Sequence, residues 1–121
     1  TIIDGGAYND IGPAVALNSC NGYAYVYRMP NYRALATRVY TNKQPSAAVR
    51  GFGHLQAQFA IESQLDMIAE DLGIDPVEIR LKNARQTGDA IGMTRLPLPS
   101  CGLSECLQKV SQGSGWQEKR G

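Results

Sequence analysis

The sequence predicts an α+β fold in which short antiparallel strands are followed by a long helix and two shorter helices. Three observations carry this. Tyrosines alternate at 23, 25 and 27, the period of a strand. Ile61, Leu65, Ile68 and Leu72 recur at spacings of four, three and four, the period of one helix face. Asp75-Pro76-Val77-Glu78 has the form of a capped helix start, with proline at the first helical position.

The first thirty residues are punctuated by Gly5-Gly6, Gly12-Pro13, Asn21-Gly22 and Pro30-Asn31, which read as breakers. Between them, residues 23–27 read as one strand. Residues 33–41 read as a second, with Leu35, Thr37 and Val39 on one face. Pro30 favours a turn or an edge position. Residues 42–53 form a loop, and a helix starts near His54 and is closed by Gly73. The next helix begins after Asp75, presents Val77, Leu81 and Ala84, and ends at Gly88. After a linker with Pro97 and Pro99, Leu103, Leu107 and Val110 mark a third, short helix. The tail from Gly113 is polar apart from Trp116. The chain thus divides into a strand-rich part (1–45), a loop (46–54) and a helical part (54–113). Two strands make a marginal sheet, and the first thirty residues hold too little apolar surface for a core. The expectation is that the 121 residues belong to a longer polypeptide, consistent with a start lacking methionine.

Composition excludes several function classes. Twelve Lys+Arg against eleven Asp+Glu leave a net charge of +1, with no electrostatic footprint for nucleic acid or an anionic membrane. No apolar run reaches the roughly 20 residues of a membrane helix, and no signal peptide opens the sequence. Cys20, Cys101 and Cys106 are too few for a disulfide framework, and with His54 the only histidine they do not make a zinc or iron–sulfur ligand set. Reduced thiols suit a cytoplasmic protein.

Chemistry concentrates at Ser46-Ala47-Ala48-Val49-Arg50-Gly51-Phe52-Gly53-His54. Two glycines flank an aromatic residue just before a long helix. Glycines let a backbone approach a ligand closely, and free N–H groups at a helix start attract anions or electron-rich oxygens. Phe52 between them can offer its ring to a planar substrate or pack in the core. The loop is neither a P-loop nor a dinucleotide fingerprint. Glu62 and Asp66, one turn apart, read either as a metal pair or as a solvated face. His54 has no nucleophile beside it.

These residues carry a family resemblance. Tyr40-Thr41-Asn42-Lys43, Pro45-Ser46-Ala47-Ala48-Val49-Arg50-Gly51-Phe52-Gly53, Gln56 and Phe59-Ala60-Ile61-Glu62-Ser63-Gln64-Leu65-Asp66 resemble the large, molybdopterin-binding subunit of molybdenum hydroxylases. That is the xanthine dehydrogenase and aldehyde oxidase family, with 4-hydroxybenzoyl-CoA reductase as a branch. The similarity runs on through Ala69-Glu70-Asp71-Leu72-Gly73-Ile74-Asp75-Pro76 and Arg80-Leu81-Lys82-Asn83, and begins at Gly5-Gly6-Ala7-Tyr8 and Tyr27-Arg28-Met29-Pro30-Asn31.

The resemblance implies a molybdenum–pyranopterin cofactor. It places the Arg50 backbone amide near the metal, with Ala48 and Gly51 shaping the cofactor loop and Phe52 packing on the substrate. Members hydroxylate aromatic, heterocyclic or aldehyde substrates with oxygen from water, and one branch reductively dehydroxylates an acyl-CoA. Electrons pass to iron–sulfur clusters and FAD on other domains or subunits. The implied partners are the remainder of the large subunit, those electron-carrying units and a small-molecule substrate, in an oligomer without nucleic acid or membrane. The family's catalytic glutamate lies outside these residues, so none here is catalytic. Asn18 stands where purine-oxidising members carry an arginine, and His54-Leu55-Gln56 replaces a common Gly-Pro-Gln. Both imply a pocket unlike that of xanthine enzymes. The contrasting expectation is a scaffold that keeps the fold without the metal.

Overall fold

Two strands far apart in sequence open the architecture. A computed structural model describes residues 2–91 and 95–120. Strand β1 (Ile2–Asp4) pairs with β2 (Thr37–Val39) in parallel, Ile3 opposite Arg38. A parallel pair needs a crossover, and helix α1 (Gly12–Gly22) supplies it. Antiparallel pairing of residues 23–27 with 33–41 is therefore corrected. Only the end of the second segment is strand. Residues 23–27 form a turn after α1, with Tyr27 bridging Ala84. Helix α1 itself departs from the expectation: Pro13, read as a breaker, occupies the first helical turn, where its missing N–H costs nothing.

The β1–β2 corner is held by polar contacts. The Asp4 carboxylate accepts from Gly6 N–H at 3.1 Å, Thr41 Oγ1 at 2.6 Å and Lys43 Nζ at 2.8 Å. Arg38 threads between Gly5 and Gly12. It donates to the carbonyls of Gly5 at 2.6 Å and Tyr8 at 3.0 Å and to Asn9 Oδ1 at 2.9 Å. A Cβ on Gly5 or Gly12 would fall 2.5 or 2.6 Å from its Nε, so a side chain at either would displace the guanidinium from these bonds.

Helix α2 (His54–Leu72) starts where expected and stops at Gly73, whose φ of 63° needs a glycine. Its covered face differs from the expected one. Ala57 and Ala69 are buried, Ile61 and Leu65 are half-buried, and Leu72 stays 62 % exposed. The reason lies in its neighbours. α1 offers Ala16, Ser19 and Gly22, small residues that let the two helices approach closely at Ala57. Gly22 is so close that a Cβ would sit 2.9 Å from that of Ala57.

Helix α3 (Pro76–Asn83) starts after Asp75, whose Oδ1 accepts from the N–H groups of Val77 at 2.7 Å and Glu78 at 3.1 Å. The reciprocal half of a capping box is not made, because Glu78 pairs with Lys82 instead. The helix ends at Asn83 rather than Gly88. There Ala84 turns extended and the chain joins the turn after α1, with Arg28 N–H donating to Asn83 O and Arg85 N–H to Val26 O. Strands β3 (Ala90–Ile91) and β4 (Leu96–Pro97) form an antiparallel pair across the linker. Helix α4 (Leu103–Ser114) follows as expected, and the tail adds a short helix α5 (Trp116–Lys119). Trp116 Nε1 reaches Asp75 Oδ2 at 3.0 Å, and Arg120 pairs with the same oxygen. The class is α+β as the sequence predicts.

Two outcomes follow for stability. Asp75→Ala removes a cap worth about 1 kcal/mol together with the α5 tether. Asp75→Asn keeps the cap and loses less, which denaturant titration of both variants measures. The Asp4 carboxyl is held at about 2, below its usual 3.8, first by the Lys43 hydrogen bond and then by Thr41 and Gly6. A depressed acid stabilises the fold above the unfolded value and ceases to as pH falls through the folded one. Thermal melts between pH 4 and pH 2 should therefore lose stability in the native protein and lose less in Asp4→Asn.

Candidate functional site

The loop entering α2 is built on consecutive left-handed residues. Gly51 has φ 72°, Phe52 48° and Gly53 99°. Phenylalanine seldom adopts this conformation, at a cost of roughly 1–2 kcal/mol. It is imposed from both sides. Ser19 Oγ donates to Gly53 O at 2.9 Å, pinning the loop to α1. His54 N–H donates to Gly51 O at 2.8 Å, closing the turn. A Cβ on Gly53 would meet Val15 O at 2.3 Å, and one on Gly51 would meet Leu55 Cγ at 2.6 Å.

The four residues expected at the site lie together on this loop. Ala48 and Phe52 are half-buried, and Arg50 and Gly51 are exposed. The backbone N–H groups of residues 47–53 have no acceptor among the described residues. A row of unpaired amides at a helix entrance offers fixed partial positive charge to oxygens of a ligand.

Neighbouring contacts tie the start of α2 to the turn after α1. His54 packs edge-on against Tyr25, centroids 5.2 Å apart. Gln58 Nε2 donates to Gly22 O at 2.7 Å. Tyr27, 4 % exposed, donates its hydroxyl to Glu62 Oε1 at 2.8 Å. Burial, then the Glu62 hydrogen bond, pushes its ionisation well above the usual phenol range. Glu62 and Asp66 are neither a metal pair nor a merely solvated face, since Arg80 bridges both at 2.8 Å. Burial alone would weaken the Arg80 charge, but Asp66 and Glu62 hold it the more firmly. No cluster of three His, Cys, Asp or Glu side chains that could hold a metal ion occurs among the described residues. The three cysteines are free, Cys106 exposed and the others half-buried. No described helix is long and apolar enough to cross a membrane.

Sequence reasoning missed Ser19, the residue that anchors the loop. The signal was there in proline at a helix start, followed by Ala-Val-Ala-Leu. Asn18 lies half-buried on the same helix, one position before that anchor.

Comparison with known proteins now adds identity to geometry. Residues 1–84 match the family described as the molybdopterin cofactor-binding domain. The chain is 44 % identical over 115 residues to the xanthine dehydrogenase molybdenum-binding subunit of Escherichia coli O157:H7, covering 95 % of this chain and 15 % of that protein. It is 40 % identical over 109 residues to the nicotinate dehydrogenase large molybdopterin subunit of Eubacterium barkeri, covering 90 % of this chain and 26 % of the relative. The aldehyde oxidoreductase structure from Desulfovibrio gigas superposes with a TM-score of 0.85 at 32 % identity, over 98 % of this chain and 14 % of that one. The chain thus spans about a seventh of the length of the solved aldehyde oxidoreductase and 15 % of the E. coli subunit.

Gly53→Ala should destabilise the protein by about 2 kcal/mol or more, since it adds left-handed strain to a backbone clash. Equilibrium unfolding measures this, with Gly88→Ala as comparison: that φ is also positive, at 91°, but open space surrounds the site.

Proposed function

The chain belongs to the molybdopterin cofactor-binding domain family, and from that membership we propose that it serves in the large subunit of a molybdenum-dependent oxidoreductase. In this reading residues 1–121 are one portion of the cofactor-binding region, and loop 46–54 is the part that meets the cofactor. Ala48 and Gly51 shape its floor, and the Arg50 amide faces the metal end. Phe52 lays its ring against the substrate, an aromatic, heterocyclic, aldehyde or acyl-CoA molecule. When bound, the molybdenum–pyranopterin group supplies two-electron oxidation or reduction. This chain's residues bind and orient.

The observation that carries the reading is the run of unpaired amides at residues 47–53, on a backbone fixed by consecutive left-handed residues. Such donors fit an oxygen-rich, electron-dense group. The partners in this reading are the rest of the large subunit and units carrying iron–sulfur clusters and FAD. The rest of the subunit would cover the apolar side of α2, where Leu55, Phe59 and Met67 are 60, 78 and 61 % exposed.

Metal analysis of the native polypeptide carrying this sequence should give about one molybdenum per chain. A folded, full-length species without molybdenum would favour the scaffold reading. In the loaded enzyme Phe52→Ala should lower kcat/KM for ring substrates by about tenfold, the weight of one aromatic contact near 1.4 kcal/mol, with metal content unchanged. An unaltered kcat/KM would make the ring structural.

A further inference from the structure

A wide cleft lies away from the cofactor loop. It has a volume of about 1030 Å³ between the turn after α1, the end of α3 and Arg85, Asp89, Ala90 and Arg95, and none of residues 46–54 lines it. Its charge is one-sided. Arg28, Lys82, Arg85 and Arg95 line it, and Asp89 is the single carboxylate on its wall. The whole sequence is nearly neutral, so this is a local concentration of cations.

Their bonds show what is missing. Arg85 is 8 % exposed, and its guanidinium donates only to neutral carbonyls, those of Ala24 and Ala90. Arg28 donates to Lys82 O at 2.9 Å. Among the described residues no carboxylate lies within ion-pairing distance of Arg28, Arg85 or Arg95; of the four cations only Lys82 has one, Glu78. A buried guanidinium without a counter-charge is costly, and its planar fork matches a carboxylate. The two carbonyl-bound guanidiniums are tied to different segments, at Lys82 and at Ala24 and Ala90. Positive charge is thereby spread along the cleft, which suits an extended acidic partner better than one compact anion.

We propose that this cleft docks an acidic segment of the remaining polypeptide, whose carboxylates pair with Arg28, Arg85 and Arg95. The inference rests on the reading of the chain as part of a larger subunit. It is supported by the small share of its relatives' length that the chain spans, 15 % of the E. coli subunit. A tethered segment reaches the cleft at high effective concentration.

The test is zero-length carbodiimide coupling on the intact polypeptide, read by peptide mass spectrometry. Lys82 should couple to an Asp or Glu in a peptide outside residues 1–121. The yield should fall at least about tenfold in Arg28→Ala/Arg95→Ala, since the variant removes two charge-assisted contacts and one alone weighs about that much. It should fall also at about 1 M salt, where screening is strong. Lys43, which pairs with Asp4 outside the cleft, is the internal control and should couple equally in both proteins. Coupling of Lys82 to Glu78 alone would overturn the proposal. So would shielding of Lys82 by added inorganic phosphate with no outside peptide attached, which would mark a small-anion site. Molybdenum measured on the same sample separates the two readings. Metal present with Lys82 coupled only to Glu78 sinks the docking alone, and an outside crosslink without metal sinks the cofactor reading alone.

Discussion

The close approach of α1 to α2 is the constraint on which the rest depends. Gly22 against Ala57 sets the spacing, and the Ser19 hydroxyl on Gly53 O sets the register. At that spacing only small side chains fit between the helices, so the large apolar residues of α2 are left outside the contact. The same approach fixes the left-handed loop, because Gly53 lies where Val15 O leaves no room for a side chain. Helix packing and site geometry are thus one event. A looser α1 would free the backbone that holds Phe52 at a positive φ.

The second tier is electrostatic. Arg80 ties α2 to α3 through Glu62 and Asp66, and Tyr27 adds the turn after α1 to the same group. Arg38 plays a comparable part at the β1–β2 corner, where its length is admitted by two glycines. Arginines here replace the large apolar side chains that a core of this size would ordinarily supply. The buried apolar residues are mostly alanines, with Tyr27 and Ile79 the larger exceptions.

What could be read from the sequence follows from range. Helices α2, α3 and α4 announce themselves through periodicity and caps, which are local signals, and their starts fall where expected. Glycine placement marked out the loop around Phe52, while the roles proposed for Ala48, Arg50, Gly51 and Phe52 rest on the family resemblance. Helix α1 was missed although its proline start is a signal, because glycine and asparagine dilute its pattern and its buried side is made of small residues. The tyrosine alternation misled because the rings do not share one sheet face. Tyr25 packs on His54, while Tyr27 bonds Glu62. Parallel pairing of β1 with β2 depends on chain segments more than thirty residues apart, which no short window can see.

Asp75 shows how far such long-range dependence extends. One carboxylate caps α3 through its Oδ1 and holds Trp116 and Arg120 through its Oδ2. Burial would raise its pKa, but the indole, the two amides and the guanidinium outweigh burial and keep it charged. The start of α3 is therefore completed by residues that are synthesised about forty positions later. Without them the cap on α3 is still made, but the second oxygen of the carboxylate loses both its partners. Contacts of that span close a long loop, and they raise the contact order of this half of the chain above what its short helices alone would give.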